Sequence, residues 1–292
     1  MMNSFFPWIG GKKLMRDIIL ERFPVDYDRY IEAFGGAAWI LFAKEPEPFE
    51  VYNDYNSDLT NMFYVVKYRP LAFLEELGFL PLNGKEEFEF FLDWNKRKDF
   101  SVPYEKEELE LAKHYLTPLE YDQYKEMIDN RAILGDVRRA ANFYKLIRYS
   151  YAGGSKSYNG QPVNLMQAYQ TIWQANRRLN ENGIKTESDK RKAIGRAGKG
   201  VIIQNKSFDE LIPLYDRPKA FTYCDPPYYG TEKLYTAKFS RESHFHLRDV
   251  LGSVKGYFML SYNDCDFIRD LYRGYYIESF ERLNSISQRY DP

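Results

Sequence analysis

The spacing of apolar and polar residues predicts alternating strands and helices. Short apolar runs between turn residues are typical of buried strands, whereas apolar residues three or four positions apart are typical of helices. Strands are predicted at 29–33, 49–52, 201–203, 220–224, 254–261 and 275–280. Helices are predicted at 14–22, 37–43, 58–79, 85–98, 105–115, 118–130, 136–149 and 167–181. The predicted class is α/β, with a Rossmann-like sheet and helices on both faces.

The first part of this pattern is typical of a nucleotide-binding unit. A strand, the turn Gly35-Gly36, a helix and a second strand are followed by Asp54. Asp54 comes 18 residues after Gly36, close to the roughly 20 residues between a phosphate loop and a ribose-binding acid. A dehydrogenase remains possible on this ground, although 34–38 lacks the third glycine of the G-x-G-x-x-G pattern.

A block of helices at 58–149 interrupts the α/β pattern. Two glycine-bearing turns at 152–162 then predict a hairpin. The polar composition of 183–200 predicts a loop or a short helix. The strands resume at Val201. We therefore predict a catalytic domain from 1–66 and 201–292, with 67–200 as an inserted, mostly helical recognition subdomain.

Charge is unevenly distributed, although the net charge of the 292 residues is only -1. Residues 86–110 carry nine acids and four basic residues, while 131–156 carry six basic residues and one acid. Residues 185–199 carry six basic residues and two acids. The two basic segments are where we expect contacts with a phosphate backbone.

The positions of the cysteines and the hydropathy of the chain limit the classes of protein that fit this sequence. Cys224 and Cys265 form no metal-ligand pattern, and Cys224 lies in an apolar strand, which favours a buried reduced thiol. No apolar stretch reaches the roughly 20 residues needed to cross a membrane, and no signal peptide is recognisable. We expect a cytoplasmic protein that needs no metal and does not contact a membrane.

The most informative stretch is Asp225-Pro226-Pro227-Tyr228, which follows the apolar strand at 220–224. Proline fixes φ and removes a donor, so this turn is stiff and its carbonyls can accept hydrogen bonds. An acceptor side chain, an acceptor carbonyl and an aromatic ring suit a flat ring that carries an exocyclic amine. An adenine base fits that description.

Two further segments, Pro7-Trp8-Ile9-Gly10-Gly11-Lys12 and Glu32-Ala33-Phe34-Gly35-Gly36, precede this loop. Together the three segments resemble, in order and in spacing, the motifs of the Dam-type DNA adenine-N6 methyltransferases. This resemblance implies a Rossmann-like methyltransferase sheet and S-adenosylmethionine as methyl donor. It also implies a set of cofactor-binding residues: Trp8, Lys12, Phe34, Gly35, Gly36, Asp54 and Asp225.

Catalysis on adenine N6 requires alignment and stabilisation of positive charge that develops on a weakly nucleophilic nitrogen. We expect the Asp225 carboxylate and the Pro226 carbonyl each to accept one amino hydrogen. Tyr228 is expected to stack on the base, which must be flipped out of the duplex.

The resemblance implies double-stranded DNA as partner and the 136–149 helix with the following hairpin as recognition element. Expected DNA contacts are Arg138, Asn142, Lys145, Arg148, Lys156, Tyr158 and Asn159. We further expect a monomer of bacterial or phage origin, with a cognate restriction endonuclease as a possible partner.

Alternatives from other classes stay open. One is methylation of another planar amine, although cytosine-N4 enzymes more often have serine, and protein-glutamine enzymes asparagine, in place of Asp225. Another is a DNA-binding relative that has lost catalysis. Ser207 favours this second alternative mildly, because the family commonly has an acid there, near the cofactor adenine.

Overall fold

The computed structural model describes residues 2–78, 84–97, 105–129, 136–150, 153, 157–159, 164–181, 183, 200–231 and 239–281. Three sequence predictions lie outside these residues: the contact of Lys156 with DNA, most of the hairpin at 152–162 and the basic segment at 185–199. The described part contains five strands and twelve helices, numbered below in chain order.

Each strand is short. They are β1 (Arg29–Glu32), β2 (Glu50–Asn53), β3 (Ile202–Gln204), β4 (Ala220–Cys224) and β5 (Tyr257–Leu260). The helices that precede β3 are α1 (Arg16–Leu20), α2 (Trp39–Ala43), α3 (Ser57–Tyr68), α4 (Pro70–Leu77), α5 (Lys85–Arg97), α6 (Glu105–Tyr115), α7 (Pro118–Asp129), α8 (Val137–Arg148) and α9 (Leu165–Asn180). The remaining helices are α10 (Phe208–Tyr215), α11 (Arg241–Gly252) and α12 (Asp266–Leu271).

All five strands are parallel and lie in the order β3-β2-β1-β4-β5. Ile31 in β1 is opposite Val51 in β2 and opposite Thr222 in β4. The strand order reverses at β1, so the loops that leave β1 and β4 diverge to opposite faces. Ligands of open α/β sheets bind in the crevice that forms at such a point.

Side chains of successive strand residues point to opposite faces and build two apolar cores. Tyr30, Tyr52 and Phe221 belong to the larger core, which α2, α3, α8 and α9 cover. Ile31 and Cys224 point the other way, into a core shared with α10 and α11. The predicted Rossmann-like sheet with helices on both faces is thereby confirmed.

The helical block is not separated from the sheet. Helices α8 and α9 contribute Ala140, Phe143, Ile172 and Leu179 to the same core as the strands. The division into 1–66 with 201–292 and an insert at 67–200 stays a prediction about chain organisation. In packing terms, α8 and α9 belong to the sheet's own hydrophobic core.

Most predicted elements are found within a few residues of their expected bounds, with two corrections. The helix expected at 58–79 is two helices, because Pro70 lacks the N–H for the α3 ladder and instead begins α4. The strand expected at 275–280 is wrong: these residues form no strand, and β5 is the last strand of the described sheet. Helices α10, α11 and α12 were not predicted.

Both cysteines are free, and Cys224 is buried as expected. Among the described helices, none combines the length and apolar character needed to cross a membrane.

Candidate active site

A cavity of about 260 Å³ opens at the carboxyl ends of the strands. Its walls come from the N-terminal motif and from the segments that follow β1, β2, β3 and β4. The lining residues with polar side chains or ring systems are Trp8, Lys12, Glu32, Phe34, Trp39, Asn53, Asp54, Tyr55, Asn56, Lys206, Ser207, Phe208, Tyr223, Asp225, Phe239 and Ser243. The structure thus brings together all seven residues predicted to bind the cofactor.

Lys12 joins the N-terminal motif to the catalytic loop. Its side chain is 5% exposed, and its Nζ donates to Asp225 Oδ2 at 2.5 Å and to the Gly10 carbonyl at 3.0 Å. The same Nζ lies 4.9 Å from the centre of the Tyr228 ring. Lys12 therefore contacts two of the predicted catalytic residues directly, a role that the sequence had not assigned to it.

The glycine loop after β1 requires small residues. A Cβ at Gly35 would lie 2.2 Å from Cε2 of Tyr52, which is fully buried and stacks on Phe63 with ring centres 4.0 Å apart. Gly36 has φ +49°, a left-handed conformation that favours glycine. The Tyr52 hydroxyl donates to the Gly36 carbonyl at 2.8 Å. Tyr52, near the end of the neighbouring strand β2, therefore packs against this loop and hydrogen-bonds it.

Asp54 fixes this loop from its other side. Its carboxylate accepts the N–H of Gly36 and the N–H of Asn56, both at 2.8 Å. Burial raises the pKa of Asp54 to about 6, against the lowering effect of these two bonds. Asn205 braces the segment by donating to the carbonyls of Asp54 and Tyr55 at 2.8 and 3.1 Å. A carboxylate can accept about four hydrogen bonds, so Asp54 can also receive ribose hydroxyls.

An aromatic wall closes one side of the cavity. Phe34 lies 5.7 Å from Phe208 and 6.0 Å from Phe239, and the latter two rings are 5.9 Å apart. Phe208 and Phe239 were not predicted as site residues. The available signal was their position: each stands next to the start of a helix, and Phe208 closely follows β3, at the edge where the other site residues gather.

Glu32 is a third site residue to which the sequence analysis assigned no role. It ends β1, is 2% exposed and lines the cavity. The Tyr30 hydroxyl and the Leu41 N–H donate to its Oε2 at 2.8 and 2.9 Å. Burial raises the pKa of Glu32 to about 8, and the nearby charge of Asp225 acts in the same direction.

The catalytic loop leaves β4 with Asp225 facing the cavity and Pro226 buried. Burial raises the pKa of Asp225, while the charge of Lys12 and hydrogen bonds from Lys12, Ser261 and Tyr228 lower it. The acid is thus partly exposed at the cavity wall, and its hydrogen-bond donors favour the ionised form.

Helix α8 carries four of the residues predicted to contact DNA, and other helices cover much of its surface. Asn142 is 4% exposed and Tyr149 is 5% exposed. The helix packs against α3 and α4, and α5 lies against it as well. The contact of Asn142 with DNA stays a prediction, which the burial of its side chain disfavours.

Three of the four cationic residues of α8 are more accessible, whereas Arg139 is buried beside Asp58. The Arg138 guanidinium is 42% exposed and donates to Glu76 at 3.2 Å. Lys145 is half-buried, with its Nζ 5.9 Å from the centre of the Phe91 ring, and burial lowers its pKa. Arg148 is also half-buried. These three side chains reach the surface at different points along the helix.

The base of the predicted hairpin lies beside the N-terminal motif. Ser150 and Tyr158 form an antiparallel bridge, and the Asn159 N–H donates across it at 2.6 Å. Gly153 approaches the N-terminal motif so closely that a Cβ there would lie 2.7 Å from the Pro7 carbonyl oxygen. Tyr158 and Asn159 are half-buried. The bridge therefore anchors this segment close to the cavity.

Among the described residues, no group of three or more potential ligands is placed to hold a metal ion.

The geometry agrees with a match to a family model. The model of the D12 class N6 adenine-specific DNA methyltransferases matches residues 8–286. The chain belongs to this family, which confirms the resemblance found in the motifs. It is accordingly an adenine-specific DNA methyltransferase.

Curated relatives have low identity but match along most of their length. The chain is 25% identical to Type II methyltransferase M1.LlaDCHI of Lactococcus lactis subsp. cremoris, over 96% of this chain and 88% of the relative. It is 25% identical to Retron Ec67 DNA adenine methylase of Escherichia coli, over 94% and 82%. It is 23% identical to Type II methyltransferase M.CviBI of Paramecium bursaria Chlorella virus NC1A, over 96% and 90%.

Replacing Gly35 with alanine tests the glycine loop. The new Cβ cannot coexist with the buried Tyr52 ring, so the loop must shift away from the cavity. We expect a loss of about 1–3 kcal/mol in the free energy of unfolding, measured by urea denaturation. We also expect a clear loss of affinity for S-adenosylmethionine, the methyl donor that the resemblance implies, measured by calorimetry. Gly274→Ala is the control, because a Cβ there meets no atom within 4 Å. Equal effects in both variants would contradict this account.

Proposed function

We propose that this methyltransferase transfers the methyl group of S-adenosylmethionine to the N6 amine of an adenine flipped out of duplex DNA, with Asp225, Pro226 and Tyr228 as catalytic residues. The observation that carries the proposal is the Lys12–Asp225 pair. It joins the N-terminal motif and the catalytic loop at one wall of the cavity that the glycine loop and Asp54 also line.

The cavity suits S-adenosylmethionine in three respects. Asp54 offers carboxylate acceptors for ribose hydroxyls, and the ring of Phe34 with its two aromatic neighbours offers an apolar surface for a purine. Gly35 and Gly36 line the cavity, and at Gly36 a Cβ would lie 3.0 Å from Trp8 Cδ1, so glycine leaves this wall free of a side chain. The cofactor supplies an electrophilic methyl group on a sulfonium. Trp8, which also lines the cavity, completes the proposed binding set.

Asp225 and Pro226 would act on the target amine. Two acceptors, the carboxylate and the Pro226 carbonyl, hold the two amino hydrogens and direct the nitrogen lone pair toward the methyl group. This arrangement stabilises the positive charge that develops on nitrogen, and such stabilisation is most effective where water is excluded. Tyr228 would stack on the base, as aromatic side chains do in base-flipping enzymes.

Lys12 would favour the ionised form of Asp225, which is the form that accepts hydrogen bonds from the amine. Burial favours the protonated acid, which is a weaker acceptor, whereas the ammonium of Lys12 favours the carboxylate. One oxygen, Oδ2, is engaged by Lys12 at 2.5 Å. The target amine would donate to lone pairs of the carboxylate that Lys12 leaves free. Lys12 therefore serves the catalytic acid as well as the proposed cofactor site.

Contact with DNA is proposed for Arg138, Lys145, Arg148 and the hairpin residues Tyr158 and Asn159. Support comes from the hairpin base, which lies against the N-terminal motif at the cavity. For Asn142 burial disfavours a contact, and Lys156 lies outside the described residues. A cytoplasmic location, a monomeric state and a paired restriction endonuclease remain predictions; two relatives named Type II methyltransferases motivate the last one.

The other chemistries considered at the outset fit less well. The family is specific for adenine N6, which disfavours cytosine and protein glutamine as acceptors. Loss of catalysis is disfavoured by the intact Asp225 and by its placement in the cavity. Ser207 does line the cavity where the family commonly has an acid, and it hydrogen-bonds Asp209.

Asp54→Ala should weaken S-adenosylmethionine binding by about 1–3 kcal/mol, because ribose hydroxyls would lose their partner. The pKa of Asp54, about 6, adds a pH dependence. Affinity of the parent protein should fall as the pH drops below about 6, where the acid becomes protonated and accepts hydrogen bonds less well. Calorimetry at pH values from about 5 to about 8 measures both effects. Asp26→Ala, at an exposed surface pair, is the control, and unchanged affinity in Asp54→Ala would remove Asp54 from the site.

Asp225→Ala should lower methyl transfer by at least about 10²–10³-fold, because an acceptor that strengthens in the transition state is lost. Tyr228→Phe keeps the ring but removes the hydroxyl that hydrogen-bonds Asp225. It should retain substantial activity if stacking is the main role of Tyr228, whereas Tyr228→Ala should lose most of it. The assay follows tritiated methyl groups into unmethylated duplex DNA, with nucleoside analysis. Label on cytosine or on protein would refute the adenine assignment, and full activity of Asp225→Ala would refute the mechanism.

Arg148→Ala should lower affinity for duplex DNA and reduce the slope of log K against log salt by about 0.9, the value for one phosphate contact. Fluorescence anisotropy over a salt series measures this slope, while cofactor affinity should stay unchanged. Arg217→Ala is a matched control, because Arg217 is exposed near the start of β4, at the opposite end of the strand from the cavity. An identical slope in parent and Arg148→Ala would exclude the contact.

A further inference from the structure

A short chain of hydroxyl groups ends on the catalytic acid. Ser261 directly follows β5, and its N–H donates to the Cys224 carbonyl at 3.0 Å, which extends the parallel ladder by one bond. This register places Ser261 beside Asp225. The Ser261 Oγ donates to Asp225 Oδ1 at 3.3 Å, and the Tyr223 hydroxyl lies 2.7 Å from the same Oγ.

The direction of these bonds follows from the number of hydrogens. Ser261 Oγ has one hydrogen, and the carboxylate of Asp225 can only accept, so this hydrogen points to Asp225. Burial raises the pKa of Tyr223 well above its usual value, so its hydroxyl keeps its proton. Tyr223 therefore donates to Ser261, and Ser261 donates to Asp225.

Asp225 is thus held at both oxygens by residues from different parts of the chain. Oδ1 accepts from Ser261, and Oδ2 accepts from Lys12 at 2.5 Å. The Tyr228 hydroxyl also hydrogen-bonds this carboxylate. Loss of Lys12 or Ser261 would still allow the carboxyl group to rotate further about χ2, since torsions of this kind are broad. With both, the plane of the carboxylate is defined relative to β4, and so is the direction from which a further donor can approach.

We infer that Ser261, held in place by Tyr223, is a positioning residue that fixes the plane of the Asp225 carboxylate for the target amine. This inference rests on the proposed function, because it assigns Ser261 a task only through Asp225. Ser261 need not contact the base or the cofactor. Methyl transfer depends on alignment within fractions of an ångström, so a rotated carboxylate lowers the rate without emptying the site.

The test is Ser261→Ala in the full-length protein. We expect kcat for methyl transfer to fall about tenfold, as for the loss of a hydrogen bond to a charged group. KM for S-adenosylmethionine should change by less than about threefold. The acid limb of the pH–rate profile should move to higher pH. The sign follows because the Ser261 hydrogen bond lowers the pKa of Asp225; without it, a higher pH is needed to ionise the acid.

The groups around Asp225 that act on this profile come from several elements. Lys12 and Tyr228 also lower the pKa of the acid through their hydrogen bonds. Glu32 at the end of β1 and Tyr223 in β4 are electrostatically coupled to it. None of these groups is altered in Ser261→Ala, so a moved limb reports the lost hydroxyl.

Two conservative variants separate positioning from simple packing. Ser261→Thr keeps the hydroxyl and should restore most of the rate and the parental pH profile. Tyr223→Phe removes only the outer donor and should lower kcat by about two- to threefold, in the same direction. Ser253→Ala is the matched serine control, since Ser253 is exposed and its hydroxyl donates to the Val250 carbonyl at 2.8 Å, at the end of α11.

The outcomes distinguish this inference from the proposed function. An active parent with an unchanged kcat and acid limb in Ser261→Ala would overturn the positioning role alone. Failure of Ser261→Thr to recover activity, although thermal unfolding shows it folded, would overturn it too. An inactive parent, or full activity in Asp225→Ala, would instead refute the proposed function itself.

Discussion

The parallel pairing of β1 with both β2 and β4 is the constraint on which the site depends. In a parallel sheet all carboxyl ends lie at one edge, and here the strand order reverses at β1. The loops after β1 and β4 consequently leave in opposite directions and open a crevice. The glycine loop, Asp54 and Asp225 each follow one of these strands, so a single architectural feature gathers residues that lie far apart along the chain.

Burial within that crevice disfavours the charged form of three carboxylic acids, and neighbouring hydrogen-bond donors oppose this effect. Removal from water raises the pKa of Asp54, Glu32 and Asp225. Each acid is met by donors: backbone N–H groups at Asp54, the Tyr30 hydroxyl and a backbone N–H at Glu32, and Lys12 with hydroxyl groups at Asp225. At Asp225, the charge and hydrogen bonds of these donors oppose the rise in pKa that burial causes and so favour the carboxylate, the better acceptor.

Helix α8 illustrates where reasoning from sequence fails. Its spacing places basic and polar residues on one side, a pattern that usually indicates an exposed face. In the structure, α5 lies against it, and Asn142 becomes a core residue. Periodicity describes one helix and contains no information about which other helix will cover it. Apolar content misled in a second place, because 275–280 were predicted as a strand and form none.

Sequence by itself determined the fold class, most element bounds and the residues of the three motifs, because turns, prolines and short-range periodicity act locally on the backbone. Pro70 even marks the break that the periodicity concealed. Only the tertiary structure decided the contacts of Asp225 with Lys12, 213 positions away, and with Ser261, 36 positions away. Such partners are chosen by strand order and register, and a single sequence does not encode these in any local pattern.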